Sequence, residues 1–253
     1  MRGLGSMKQA GNGPPCRYAH GLQAKWGDYM FDDKRIRIIT GHYGSGKTEF
    51  AVNYTFGLAA QGKKTAIVDL DIVNPYFRSR EIEPRFVEKG IRVIASSIKG
   101  VHGDLPALSP EIYSVLQDTS YEVVLDVGGD MAGARALARY HEYFDKEPYD
   151  MMFVLNANRH QTNTVDGAVS YLRSIEHSSL QKVTALVNNT HLCGCTAVED
   201  ILRGQRLCES VSKVLGLPIK YVVVEKGLVD MLPKGLQGEV LPIEIYMKKP
   251  WEN

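Results

Sequence analysis

The sequence predicts a doubly wound α/β domain with a mostly parallel sheet. Three observations predict it. Short β-branched apolar runs recur along the chain, stretches with helical periodicity separate them, and several of those stretches stop at a glycine. Strands that read as continuous apolar runs are covered on both faces, which gives three layers, α/β/α.

The first run is Ile36-Arg37-Ile38-Ile39-Thr40, which leads directly into a glycine-rich turn. Helix-forming sequence follows from Lys47 to Gln61, with Phe50, Ala51, Tyr54, Leu58 and Ala59 on one face and Gly62 as the stop. Further strands are expected at 65–70, 91–95, 123–127, 151–155, 183–187 and 221–224. Helices are expected at 76–89, 110–118, 132–143, 164–177 and 196–215, several of them ended by Gly90 or Gly216. Residues 241–246 read as an added edge strand. Residues 1–33 are rich in Gly, Pro and polar types and read as a flexible lead-in, so the expected organisation is a single domain over 34–253.

Composition narrows the function classes. The 253 residues are 44% hydrophobic and 23% charged, enough for a sizeable core. A formal net charge of +1 gives no general pull toward nucleic acid or anionic lipid. No run reaches the roughly 18 apolar residues of a membrane span, and Cys16, Cys193, Cys195 and Cys208 make no disulfide framework. A cytoplasmic protein with reduced thiols is the expectation.

Gly41-His42-Tyr43-Gly44-Ser45-Gly46-Lys47-Thr48 matches the phosphate-binding loop Gly-x-x-x-x-Gly-Lys-Ser/Thr, between a strand and a helix as its chemistry requires. Glycines let successive N–H groups turn toward phosphate oxygens, and the helix start adds its positive dipole end. Lys47 would bridge the β- and γ-phosphates, the Thr48 hydroxyl would ligate Mg²⁺, and Glu49 follows at the same helix start.

Two acidic stations stand at later strand ends, where ligands of open α/β sheets bind. In Val68-Asp69-Leu70-Asp71-Ile72, Asp71 is the candidate for orienting the attacking water and touching the Mg²⁺ shell, with Asp69 in support. In Leu125-Asp126-Val127-Gly128-Gly129-Asp130, Asp126 would hold Mg²⁺ through water. Gly129 would swing its N–H onto the γ-phosphate. The Asn/Thr-Lys-x-Asp segment that reads guanine is missing; Asn188-Asn189-Thr190 stands after a strand end instead, and its amides suit an adenine edge. ATP with Mg²⁺ is therefore the expected cofactor pair, ahead of GTP.

These motifs resemble the MinD/ParA/Mrp branch of the SIMIBI P-loop ATPases, the group of CobQ/CobB/MinD/ParA nucleotide-binding domains, over about 35–224. The resemblance implies a slow ATPase acting as a nucleotide switch for a protein partner or within a homodimer. It assigns family roles to Lys47, Thr48, Asp69, Asp71 and Asp126, and more loosely to Asn188 or Asn189. One departure matters: the family's signature lysine falls at His42. Arg78 and Arg80 could supply that charge as an arginine finger or simply be solvated helix-face residues, and loops of this form also resemble metallochaperone GTPases. Cys193-Gly194-Cys195 with His191 makes a poor metal cage, and a small-molecule phosphotransferase remains the other alternative. The runs 156–162 and 97–104 lie at the same sheet edge and are candidates for substrate or partner contact.

Overall fold

Eight parallel strands form one sheet in the order β3-β2-β4-β1-β5-β6-β7-β8. The computed structural model describes residues 31–71, 82–95 and 110–247. The expectations placed on Cys16, Arg78, Arg80 and 97–104 lie outside the described residues.

The strands are β1 (Ile36–Thr40), β2 (Thr65–Leu70), β3 (Arg92–Ala95), β4 (Glu122–Val127), β5 (Tyr149–Leu155), β6 (Ala185–Asn188), β7 (Ile219–Glu225) and β8 (Glu239–Ile243). The helices are α1 (Lys47–Ala60), α2 (Glu83–Glu88), α3 (Glu111–Gln117), α4 (Met131–Ala138), α5 (His141–Phe144), α6 (Val165–Ser179) and α7 (Val198–Leu215). Alternation along each strand feeds two cores. Ile36 and Ile38 of β1, with Met151, Phe153 and Leu155 of β5, face the layer of α3, α4, α6 and α7. Ile39, Met152 and Val154 face α1, where Phe50, Tyr54 and Leu58 pack. Both faces of the central strands are thus dry, the reason these segments read as unbroken apolar runs.

Local chemistry sets the boundaries. Gly62, Gly90 and Gly216 take positive φ after α1, α2 and α7, as expected of C-terminal stops. The predicted helix over 132–143 is two helices, because Tyr140 (φ −106°, ψ 8°) leaves the helical region and its ring is buried. Pro84 stands in the first turn of α2, where a missing N–H is harmless. Phe31 and Asp33, assigned by composition to the lead-in, pack onto the domain. The Phe31 ring lies 4.4 Å from that of Tyr54, and the Asp33 carboxylate accepts from the hydroxyls of Tyr54 and Tyr221.

β1 and β4 are adjacent at the centre of the sheet. Their C-terminal ends therefore deliver the loop after Thr40 and the turn after Val127 to one place.

Candidate nucleotide site

Gly41, Gly44 and Gly46 have φ of +154°, +72° and +81°, a backbone path that other residues rarely take. Close approach fixes them as well. A Cβ on Gly41 would lie 2.4 Å from the Val154 carbonyl oxygen, and one on Gly46 would lie 2.3 Å from the Asn189 amide nitrogen. The loop curls as its glycine spacing predicts, and α1 starts on it at Lys47.

Inside the curl, Lys47 and the three aspartates of the predicted acidic stations come together, all buried. Lys47 Nζ pairs with Asp71 Oδ2 at 3.2 Å. The Thr48 hydroxyl donates to Asp126 Oδ2 at 2.7 Å. Asp69 lies opposite Asp126 across the β2–β4 ladder, and its Oδ1 accepts from the Asp71 N–H at 3.1 Å. Burial, with Asp69 and Asp71 nearby, pushes the Asp126 carboxyl up to about 8, against the pull of Lys47 and the Thr48 hydroxyl. One lysine faces three carboxylates, a balance that calls for a further cation once a polyanion arrives.

Mg²⁺ fits this donor set. Asp126 Oδ1 is buried and has no hydrogen-bond partner among the described residues, beside a threonine hydroxyl at the helix start. Among the described residues no three His, Cys, Asp or Glu side chains are grouped closely enough to cage a metal alone. Thr48, Asp69, Asp71 and Asp126, the residues expected around Mg²⁺, are all buried at this end of the sheet. Mg²⁺ commonly keeps several waters and takes the rest of its shell from a few protein oxygens and substrate phosphate, and the Thr48 hydroxyl and Asp126 carboxylate are oxygens of that kind. By the same observation Cys193, Cys195 and His191 do not group as a three-ligand site, although Cys193 Sγ lies 3.8 Å from His191 Nδ1.

The turn after β4 leans on the loop. A Cβ on Gly129 would lie 2.2 Å from the Gly41 carbonyl oxygen and 2.9 Å from the Tyr43 nitrogen. The Tyr171 hydroxyl of α6 donates to the Gly129 carbonyl. His42 turns away from the curl: its Nε2 meets Gln161 Oε1 at 2.8 Å, and its ring sits edge-on to Tyr171 at 4.9 Å.

A cavity of about 470 Å³ opens beside Lys47 and Thr48. Its lining includes Asn189, His191 and Cys193 from the loop after β6 and the apolar Val223, Val224, Ile243, Ile245 and Met247. Adjacent residues at a strand end point opposite ways, and the two asparagines divide accordingly. Asn189 donates to the Ser45 carbonyl at 2.9 Å and lines the cavity. Asn188 is turned under α7, donating to the Ile201 carbonyl and to Gln205 Oε1. Its side chain cannot read a base, a correction that the period of two could have supplied.

Residues 189–192 are Asn-Thr-His-Leu, so the carboxylate position of a guanine-reading segment is Leu192, which is 47% exposed. Glu49 lines the cavity too, but its oxygens accept from the Tyr246 and Met247 N–H groups at 2.8 and 3.0 Å, and burial raises its carboxyl. His191 stays neutral, pushed down to about 4 by burial and then by nearby Arg159. Two residues carry no plain signal in the sequence. Arg159, whose Nε donates to the Gly44 carbonyl at 2.7 Å, is one polar residue among several in the run 156–162, and Tyr171 reads as an ordinary helix residue.

No protein-family profile matches the chain, and no curated protein matches it in sequence. Solved structures do match in fold. FtsY of Thermotoga maritima is 20% identical with a TM-score of 0.52, over 77% of this chain and 63% of that one. Chloroplast FtsY of Physcomitrella patens is 17% identical at TM-score 0.50, over 79% and 61%. FtsY of Mycoplasma mycoides is 16% identical at TM-score 0.50, over 78% and 62%. The chain thus spans a little over three fifths of the length of these structures. The likeness to these structures lies in the fold, a parallel sheet flanked by helices. No helix among the described residues is long and apolar enough to cross a membrane.

Proposed function

We propose that this chain is a Mg²⁺-dependent ATP-binding protein and slow ATPase of the cytoplasm, in which hydrolysis moves the loops after β2 and β4 and a protein partner reads that movement. One observation carries the reading: Lys47 and Thr48 sit at the mouth of the glycine loop, each held by an aspartate from a neighbouring strand end. Phosphate would draw Lys47 off Asp71, freeing that carboxylate to orient the attacking water. Asp126 would hold the Mg²⁺ shell. When bound, Mg²⁺ supplies neutralising charge at the γ-phosphate. Gly129, already against Gly41 and Tyr43, has only to rotate its peptide to present its N–H.

Adenine suits the far cavity because an apolar wall faces the Asn189 amide and the loop after β6 offers no carboxylate. Glu225 favours a second reading, since it lines the same cavity and a carboxylate there can accept from a guanine edge.

Calorimetric titration with Mg²⁺ and either ATP or GTP decides. Tighter ATP binding, abolished in Lys47→Ala, supports the proposal. Tighter GTP binding that Glu225→Gln removes would transfer the site to guanine. Asp71→Ala should keep binding and lose turnover, and labelled γ-phosphate recovered in small metabolites would point to a phosphotransferase instead.

A further inference from the structure

The loop between β5 and α6 brings Arg159 alongside the phosphate loop. Its Nε donates to the Gly44 carbonyl at 2.7 Å. A Cβ on Gly44 would meet its Cζ, Nε and Nη2 at 2.8, 2.9 and 3.1 Å. Three nearly equal distances mean that one flat face of the guanidinium lies over Gly44. Arg159 itself lines the cavity, as do His191 and Cys193.

Among the described residues no carboxylate pairs with this guanidinium, and its Nη groups make no hydrogen bond there. Its position is held firmly nonetheless. Asn156 and Asn158 both donate to the His191 carbonyl, at 3.3 and 3.1 Å, and the Ala157 N–H donates to the Thr190 hydroxyl at 3.1 Å, tying this loop to the one after β6.

We propose that Arg159 is a purine-stacking residue: its free face covers one side of the base in the compartment that Asn189 edges. The inference rests on the nucleotide reading above. In a phosphate loop the N–H groups point inward and the carbonyls outward, so a guanidinium bound to the Gly44 carbonyl stands on the outer flank, away from the phosphates. A planar cation with one face free favours an aromatic plane. It also accounts for glycine at position 44 beyond its φ, because any side chain there would lift the guanidinium.

The test compares ATP, ADP and inorganic tripolyphosphate binding to the full chain and to Arg159→Ala and Arg159→Lys. Stacking predicts that Arg159→Ala weakens ATP and ADP alike, by about tenfold, and leaves tripolyphosphate affinity within about twofold. Arg159→Lys restores the charge without the flat face and keeps most of the loss. Unchanged ATP affinity in Arg159→Ala overturns the inference. So does a parallel loss for tripolyphosphate, which would mean a phosphate contact or a support of the loop. A wild-type chain that binds neither ATP, GTP nor tripolyphosphate sinks the nucleotide reading itself.

Discussion

Asp126 gives the sharpest prediction, because the residue proposed to serve Mg²⁺ is an uncomfortable one in the nucleotide-free fold. Its carboxyl is fully buried, hydrogen-bonded on one oxygen by Thr48 and on the other by nothing among the described residues. Burial and then its aspartate neighbours raise it from an ordinary 3.8 to about 8. A carboxyl raised in the folded state binds its proton more tightly there than in the unfolded chain. The resulting stability is fully present below pH 3.8 and is lost as pH climbs through about 8. Each tenfold gain in proton affinity is worth about 1.4 kcal/mol, so the loss over that window is on the order of 5 kcal/mol.

Asp126→Asn keeps the shape and an acceptor for Thr48 but removes the titration. At pH 8, nucleotide-free Asp126→Asn should be more stable than wild type by several kcal/mol, on the order of 3–5, while the two converge near pH 4. Guanidinium unfolding at a series of pH values measures the difference curve, in which titrations common to both proteins cancel. Added Mg²⁺–ATP should restore wild-type stability at pH 8 and do nothing for the variant, because the ionised carboxylate is what the cation requires. A flat difference curve, or a variant less stable than wild type at pH 8, would refute the reasoning.

Three further outcomes follow from the same geometry. Tyr171→Phe removes the hydroxyl that fixes the Gly129 carbonyl; it should cost about 1 kcal/mol of stability and leave nucleotide affinity within about threefold while altering turnover, measured by phosphate release. Gly204→Ala would put a Cβ 1.9 Å from the Thr190 hydroxyl and 2.5 Å from Asn188 Oδ1; α7 must then shift, and a loss of about 2–4 kcal/mol in chemical unfolding is expected. Gly129→Ala drives a methyl into the Gly41 carbonyl, so Mg²⁺–ATP binding should fall at least about tenfold by calorimetry, with the strands intact by circular dichroism.

Most of the fold is legible because burial on both faces writes itself into the chain as β-branched runs, and β2 is legible to its ends. The phosphate loop is legible for a different reason: its glycines answer to backbone path, which no neighbour can override. Side-chain direction at strand ends is harder. Asn188 and Asn189 carry the same chemistry, and only the alternation along β6 separates a structural amide from one in the cavity. Arg159 and Tyr171 are hidden because their partners, Gly44 and Gly129, lie 115 and 42 residues away and are met through carbonyls. The break at Tyr140 is hidden for a similar reason, since the buried ring follows tertiary packing in a stretch whose local pattern is helical throughout.

Three contacts hold the site, and two of them engage groups that a triphosphate and Mg²⁺ would need under the proposal. Lys47 is paired with Asp71, the Thr48 hydroxyl is bound to Asp126, and Asn189 braces the loop from behind through the Ser45 carbonyl. The Asn189 brace is independent of the ligand, whereas the two aspartate contacts occupy the groups that phosphate and Mg²⁺ need. Breaking a buried ion pair without replacement is costly, about 3–5 kcal/mol. Lys47 should therefore leave Asp71 only as phosphate arrives, and Asp71 changes partners in the same event. Under the proposal, Asp71 would be coupled to phosphate binding through its 3.2 Å contact with Lys47. In the proposed switch, the charge that Asp71 faces would change on binding, from the Lys47 ammonium to another partner.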